Sequence, residues 1–506
     1  MPGVAGRLHC GYRPTPFVSL RVLARASALY TIGNLAPKLG ALVLLPILLR
    51  FLTRSEYGVI SLLTTLSGLI TLILTFGMDG SLMRLHFDLR GRGQAMLYST
   101  LTIFTLASSA TIVAVFAAIV GPFFPVLFAG IDFYPLGVLS LFIALTSTIQ
   151  YVPSVFFRAN GNAGAFLLYN VGTFTVSSLA TVGLVVVASL GAAGVLIGQL
   201  VGDLIALAVA IALVLSFGRP SFSRDRLGEA LRFGLPLVPH GLSAWVLRLS
   251  DRWLIALLIG LPVLQAQAAI GVYSFGYQIG AVIGLIVVSF NAAWSPYFFR
   301  IGDQPTAPLL YRHISTLVMA GLMALAVGLS ALAPEIVTVV ATAKYAQATD
   351  VIPIVAFASV FQGLYTMMVT LVFFRKRTAL LPVITIASAA VNVGLNLVLI
   401  PAVGLVGAAW STLAGYVFFA AITWLYARGL YPVRLDVPRL AGLGVLALAA
   451  ALVGRLIAIP SEPILQAVLH LGVGIAYAAV AAVLALGPLV GLRQIARATA
   501  TSSGSA

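Results

Sequence analysis

The chain has 506 residues, 61% hydrophobic and 8% charged, against about 45–50% and about 25% in an average soluble protein, so no water-solvated surface can be assembled from it. Its 29 basic and 13 acidic side chains give a formal net charge of +16, yet the basic residues fall a few at a time between apolar runs, which excludes a nucleic-acid-binding domain. The single cysteine, Cys10, excludes a disulfide framework, a Cys-based zinc site and an iron–sulfur cluster, and no cofactor is expected.

Residues 1–25 carry Arg7, Arg13, Arg21 and Arg25 but lack the short apolar core and cleavage site of a signal peptide, and read as a cytoplasmic tail. About 20 mostly apolar residues cross the hydrocarbon as a helix. Runs of that length follow at 26–51, 57–80, 96–120, 136–157, 164–188 and 193–217, then, after a cytoplasmic linker at 218–232, at 233–259, 269–296, 311–333, 350–374, 379–400 and 405–427. Two more, 438–458 and 464–487, precede a cytoplasmic tail at 488–506. Their continuous apolarity predicts an all-α polytopic membrane protein of fourteen spans rather than a membrane barrel of alternating strands. With both termini inside, cytoplasmic segments hold 22 Arg and Lys and external loops only Arg50, Arg54, Lys344 and Arg455. A miscounted span would invert every later loop, so this bias supports both number and orientation.

An internal repeat organises the spans. LAPKLGALVLLPILLRFLTR (35–54) aligns without gaps on LVPHGLSAWVLRLSDRWLIA (237–256), and Tyr57-Gly58-Val59-Ile60-Ser61 matches Ile270-Gly271-Val272-Tyr273-Ser274. Spans 1 and 2 thus match spans 7 and 8. The even separation keeps both copies in one orientation, which predicts six-helix bundles at 26–217 and 233–427, related by an axis along the membrane normal, plus the appended pair at 438–487. Two bundles around a cleft are built for alternating access, the organisation of a transporter.

The opening GNLAPKLGALVLLPILLRFLTRSEYGVISL with Met78-Asp79-Gly80, and the later RFGLPLVPHGLSAWVLRLSDRWLIALLIG, GVYSFGYQIG and NAAWSPYFFR, resemble bacterial polysaccharide flippases. These form the Wzx-like, O-antigen branch of the multidrug/oligosaccharidyl-lipid/polysaccharide (MOP) exporter superfamily. The resemblance covers residues 26 to about 300 and is supported by hydropathy to about 490. It implies a flippase of the cell inner membrane, carrying undecaprenyl-pyrophosphate-linked sugar repeat units for lipopolysaccharide or other polysaccharide biosynthesis, with polymerase machinery as a partner. The want of a nucleotide site and the mid-span carboxylates Asp203 and Asp251 lead us to expect drive by an H+ or Na+ gradient or by the membrane potential. A multidrug exporter of the same superfamily is the near alternative. A glycosyltransferase or polymerase acting on polyprenyl-linked sugars is disfavoured, because the external loops offer only scattered Glu56, Asp132, Glu335, Asp350 and Glu462; no enzyme is expected.

The charged residues inside spans are the candidate site. Arg248, Asp251 and Arg252, at spacings of three and four in span 7, read as one helical face; charge at that depth is costly and must meet protein or water. Two guanidinium groups suit a pyrophosphate, with Asp251 holding them in place; a structural salt bridge, or snorkelling of Arg252, is the alternative. Lys38 and His240 suggest a basic approach for a lipid phosphate, unless Asp79 neutralises Lys38. Asp79 is a capping or coupling candidate, and Asp203 in span 6 a proton or cation site, so Asp251, Asp203 and Asp79 are the ion-coupling or structural set. Tyr273 and Tyr277 offer sugar-stacking and hydroxyl contacts, or packing. Asn291 and Trp294 end span 8, a stretch close to the cleft in the resembled family; for Trp294 interfacial anchoring outweighs sugar stacking. Pro37 and Pro46 in span 1 and Pro236 and Pro239 in span 7 are hinge candidates or static kinks. Gly194, Gly198 and Gly202, and Gly276, Gly280 and Gly284, space close helix contacts. Gly442-x-Gly444-x-x-Ala447 lies within a span with no preceding strand and is not a dinucleotide fingerprint, and there is no Walker sequence.

The charge bias predicts that reporter fusions after Gly121, Leu261 and Pro334 read external and those after Arg92, Arg226 and Lys376 internal; a consistent reversal from any point along the chain overturns the topology.

Overall fold

The structure, a computed structural model, describes residues 20–433, 435–457 and 462–502, the side chains of 20–24, 27 and 487–502 excepted. Arg7, Arg13, Arg434 and the extreme tails therefore lie outside the described residues, as do the side chains of Arg21, Arg493 and Arg497. No strand occurs among the described residues.

The main helices are α1 (Leu20–Phe51), α2 (Arg54–Leu74), α3 (Arg92–Val120), α4 (Val138–Ser147, resuming as Tyr151–Ala159), α5 (Ala163–Val182), α6 (Gly191–Ser216) and α7 (Val238–Leu258). They continue with α8 (Val263–Gly280, resuming as Val282–Ile301), α9 (Ala307–Ala331), α10 (Ala348–Phe374), α11 (Leu381–Val403), α12 (Leu405–Leu430), α13 (Val437–Leu456) and α14 (Pro463–Ser502). Thirteen helical segments among the described residues are long and apolar enough to cross a membrane. The expected count of fourteen adds α7, whose Arg248, Asp251 and Arg252 set it apart from the others by composition.

Several boundaries differ from the expectation for local reasons. Span 2 does not end at residue 80: after a break in which Phe76 and Gly77 take positive φ, it continues as the helix Met78–Asp88. The expected linker at 218–232 contains an ordered helix, Arg224–Gly234. It docks on that break, Ser81 Oγ donating to the Ala230 carbonyl at 2.7 Å. Gly77 has no room for a Cβ against the Gly234 backbone. Pro236 and Pro239 do not interrupt α7. Pro236 sits in a short turn, Leu235–Leu237, and Pro239 in the first turn of α7, where a missing N–H costs nothing. Pro37 and Pro46, by contrast, lie inside an unbroken α1.

The contacts among the first six helices recur among the next six. α1 packs on α5 as α7 packs on α11, α5 on α6 as α11 on α12, α4 on α6 as α10 on α12, and α2 on α4 as α8 on α10. The two sets meet along α2 and α8, at the residues the repeat aligns. Gly58 and Gly271 face each other so closely that a Cβ on either would come within 3.0 Å of the other's amide nitrogen. One turn on, Ser61 Oγ donates to Ser274 Oγ at 2.5 Å. Repeat mates touching each other is what a two-fold relation requires at its axis. α2 starts beside this junction because Thr53 and Glu56 form a capping box.

α13 and α14 pack on α9 and on each other. Side-chain contacts clamp them at both ends: the Arg455–Asp350 ion pair and a 2.9 Å contact of His470 Nδ1 with Glu335 Oε1 at one, the ion pairs of Arg312 and Arg439 with Asp436 at the other.

A protein with Cys10 replaced and cysteines at positions 61 and 274 is expected to form a disulfide spontaneously. Adding Gly58→Val should reduce that cross-link about tenfold, since overpacking costs about 1–3 kcal/mol; gel mobility before and after reduction measures it.

Candidate functional site

The three charged residues of α7 do not act as one face. Asp251 follows Arg248 by three positions and Arg252 follows it by four, but Asp251 and Arg252 are consecutive, hence about 100° apart around the helix. Asp251 turns into the second bundle and is fully buried. Its Oδ2 accepts from the Tyr273 hydroxyl and the Thr412 hydroxyl, each at 2.6 Å, and its Oδ1 from Asn396 Nδ2 at 2.8 Å. Neither arginine approaches it within 4 Å, so the expected role of Asp251 in holding both guanidinium groups is replaced by a set of three neutral donors from α8, α11 and α12. The side-chain oxygen of Asn396 and the amide nitrogen of Asn392 have no protein partner there.

Arg252 turns the other way, into a cavity of about 420 Å³ between α1, α2, α7 and α8. The cavity is lined by Tyr57, Ser61, Thr64, Thr65, Ser274 and Gln278 together with aliphatic residues of α1, and Arg252 is its only charged lining residue. Arg252 is 6% exposed; its guanidinium lies 4.5 Å over the Tyr277 ring and 5.9 Å over that of Tyr273 and donates through one nitrogen to the Arg248 carbonyl at 3.2 Å. No carboxylate among the described residues pairs with it within 4 Å. Snorkelling of Arg252 is therefore corrected: a side chain buried under two rings does not reach headgroups. Arg248 is exposed and likewise without an ion pair among the described residues.

The junction of the bundles forms part of the wall of this cavity. Besides Ser61–Ser274, Ser55 donates to Gln267 Oε1 at 2.5 Å, Tyr57 to Gln278 Oε1 at 2.9 Å, and Gln267 to the Ala129 carbonyl at 2.9 Å. Trp253 Nε1 donates to the Leu127 carbonyl at 3.0 Å. Thr412, Asn396 and Gln278 were missed in the sequence, and Ser61 was read only as part of the repeat; polar residues within the apolar α8, α11 and α12 were the available signal.

The remaining candidates separate. Tyr273 is wholly buried as the donor to Asp251, so it offers no surface for sugar stacking, and Tyr277 serves as the shelf for Arg252. Trp294 is 5% exposed among Phe290, Phe298 and Tyr311, which makes it core rather than an interfacial anchor. Asn291 accepts from Ser295 and Thr370. His240 Nδ1 lies 3.2 Å from the Thr385 hydroxyl of α11. Lys38 is exposed and makes no ion pair with Asp79 within 4 Å; Asp79 is exposed in the first turn of Met78–Asp88, where a negative charge favours the helix terminus. Asp203 is bonded by Ser147 and Gln150, away from the α7 cluster. The two glycine stripes fit close packing, on α5 for α6 and on α10 for α8.

Fold and site together define a helical membrane protein with a polar cavity at the junction of two like bundles. The profile of the family described as "Polysaccharide biosynthesis protein" matches residues 47–350, and the chain belongs to that family. Its fold is similar to that of lipid II flippase MurJ in an inward closed conformation, with 14% identity, a TM-score of 0.65, and 92% of this chain and 100% of that one covered. It is similar also to a MATE transporter in complex with MaL6, with 16% identity, a TM-score of 0.58 and coverages of 81% and 95%. A MOP superfamily transporter from Pyrococcus furiosus matches at 15% identity, a TM-score of 0.52 and coverages of 81% and 95%. No curated protein sequence matches the chain.

Tyr273→Phe keeps the ring and removes one donor from Asp251. Hydrogen bonds to charged groups contribute about 1.5–3 kcal/mol, so this variant should melt at a lower temperature in detergent, whereas Asn291→Ala, with its weaker neutral contacts, should move the midpoint less.

Proposed function

We propose that this protein is an alternating-access flippase that carries polyprenyl-pyrophosphate-linked oligosaccharide repeat units across the inner membrane for polysaccharide biosynthesis, with both termini cytoplasmic. The observation that carries the reading is Arg252: a buried cation, facing a cavity of hydroxyl and amide groups at the junction of the bundles, with no carboxylate paired to it. A guanidinium offers paired donors to phosphate oxygens, and the surrounding hydroxyls suit a sugar. Arg248, exposed one turn away, is the second cation met by the headgroup, while Lys38 and His240 lie on its approach. Pro37 and Pro46, inside α1, are the positions to which we assign its hinge. The polymerase that consumes the flipped unit is the natural partner on the far side.

The driving force we assign to an H+ or Na+ gradient acting at Asp251. The carboxylate, the unsatisfied oxygen of Asn396 and the Thr412 hydroxyl gather oxygen ligands in the second bundle, one residue from Arg252. A multidrug cation is disfavoured as cargo because the only charge lining the cavity is positive.

In proteoliposomes containing this protein alone, Arg252→Ala is expected to weaken binding of an undecaprenyl-pyrophosphate-linked saccharide about tenfold to a hundredfold, as loss of charge-assisted bonds worth about 1.5–3 kcal/mol requires. Arg252→Lys and Arg248→Lys should weaken it less than the alanine variants without restoring it. If the double alanine variant folds, reaches the membrane and flips at the parent rate, the site lies elsewhere. Flipping should also respond to an imposed proton or sodium gradient and lose that response in Asp251→Asn; strict dependence on ATP excludes the ion-driven mechanism.

A further inference from the structure

The first bundle contains a buried carboxylate that the reading above does not use. Asp203, in the middle of α6, is 6% exposed, and its surroundings are set by a break in α4. Pro153 has no N–H to give the Ile149 carbonyl, and its ring disfavours the preceding helical turn. The helix accordingly stops at Ser147 and restarts at Tyr151. Between them the chain closes shorter turns, Gln150 N–H to the Ser147 carbonyl at 3.2 Å and Val152 N–H to that of Ile149 at 3.1 Å. The break brings two side chains onto Asp203: Ser147 Oγ donates to Oδ2 and Gln150 Nε2 to Oδ1, each at 2.6 Å.

We propose that Asp203, with Ser147 and Gln150 at the break of α4, is a reversible proton-binding site of the first bundle, separate from the Asp251 centre of the second. An ionised carboxylate at bilayer depth without a cation is costly, and no Lys, Arg or His among the described residues pairs with this one. Two neutral donors offset part of that cost, so neither protonation state is prohibitive. Ser147 lets the site change state without rearrangement. When Asp203 is ionised, the serine donates to Oδ2. When a proton binds Oδ2, the acid donates to Ser147 Oγ and the serine hydrogen turns to the carbonyl one helical turn back. The Gln150 amide stays on Oδ1 throughout. The Gln150 amide presents its nitrogen to the carboxylate, so one carboxylate and one hydroxyl are the oxygens that face the site, a set that suits a proton better than a dehydrated metal cation.

The groups around the site do not substitute for it. Tyr169 on α5 donates to the Gln150 carbonyl at 3.3 Å, and Tyr151 on α4 pairs with Thr105 of α3. Of the charged residues on the neighbouring helices, Arg54 and Glu56 on α2, Arg92 on α3 and Arg158 on α4 lie at helix ends, while on Met78–Asp88 Asp79 is exposed and Arg84 pairs with Asp88. The site is also placed to matter mechanically: the first half of α4 receives Ser67 on the Ser140 carbonyl and Thr71 on the Ala144 carbonyl. Both donors come from α2, the helix that carries the Ser61 contact.

The test is infrared difference spectroscopy of the purified protein in lipid nanodiscs, stepped from acid to alkaline pH. The parent should show the carbonyl band of a buried carboxylic acid that appears and disappears reversibly. Asp203→Asn should remove one component of that band, Asp251→Asn should leave that component in place, and Ser147→Ala should shift its midpoint. If the folded Asp203→Asn protein shows the same titrating bands as the parent, Asp203 is a fixed structural group and the proposal fails. If Asp203→Asn does not fold, an unshifted band in folded Ser147→Ala overturns it equally. No saccharide lipid enters the measurement, so its outcome is independent of the substrate assigned to Arg252.

Discussion

Inside a bilayer a charged side chain is costly unless water or protein answers it, and one packed away from water must be answered by protein. Asp251 imposes that condition on the second bundle. Tyr273 of α8, Asn396 of α11 and Thr412 of α12 all give their donors to this one carboxylate, so three helices are held in register around α7. With one oxygen bound twice and the other once, loss of any single donor leaves buried charge exposed to hydrocarbon rather than to solvent. Arg252 meets the same condition differently, by lying on the faces of Tyr277 and Tyr273, where the ring quadrupoles attract a cation without neutralising it. The result is a buried positive charge still able to receive an anion.

α8 joins these features. Tyr273 and Tyr277 point to Asp251 and Arg252, while the next residues, Ser274 and Gln278, reach α2 across the junction. Two turns of one helix thus touch a buried carboxylate, a buried cation and the opposite bundle. The close approach that makes this possible depends on Gly58 and Gly271, whose missing side chains let the α2 and α8 backbones meet. The contact is symmetric because the two positions are matched in the repeat, so each face meets its own counterpart.

Among the described residues each bundle carries one buried acid, Asp251 in α7 and Asp203 in α6, on helices that are not repeat mates. The bundles share a scaffold but differ in how their carboxylates are satisfied: three donors beside an arginine in one, two donors at a helix break in the other. The appended pair α13 and α14 leaves the junction untouched, since it is clamped to α9, α10 and the segment Ala333–Ala341.

The order and rough limits of the apolar helices were legible in the amino-acid sequence, because hydropathy sums over a whole span and needs no knowledge of neighbours; thirteen of the fourteen expected spans are long and apolar enough among the described residues. So was the repeat, whose matched Gly58 and Gly271, and Ser61 and Ser274, prove to be the contact itself. The sequence also marked α7 as the charged helix. What it left open was direction. Arg248, Asp251 and Arg252 look like one stripe when only spacing is counted, yet a step of about 100° sends Asp251 into the bundle and Arg252 into the cavity. Tyr273 and Trp294 looked like ligand or interface groups and are interior, because an aromatic side chain's role depends on which helix packs over it. The partners of Asp251 come from residues 273, 396 and 412, far apart along the chain, and only the packing of four helices brings them to one carboxylate.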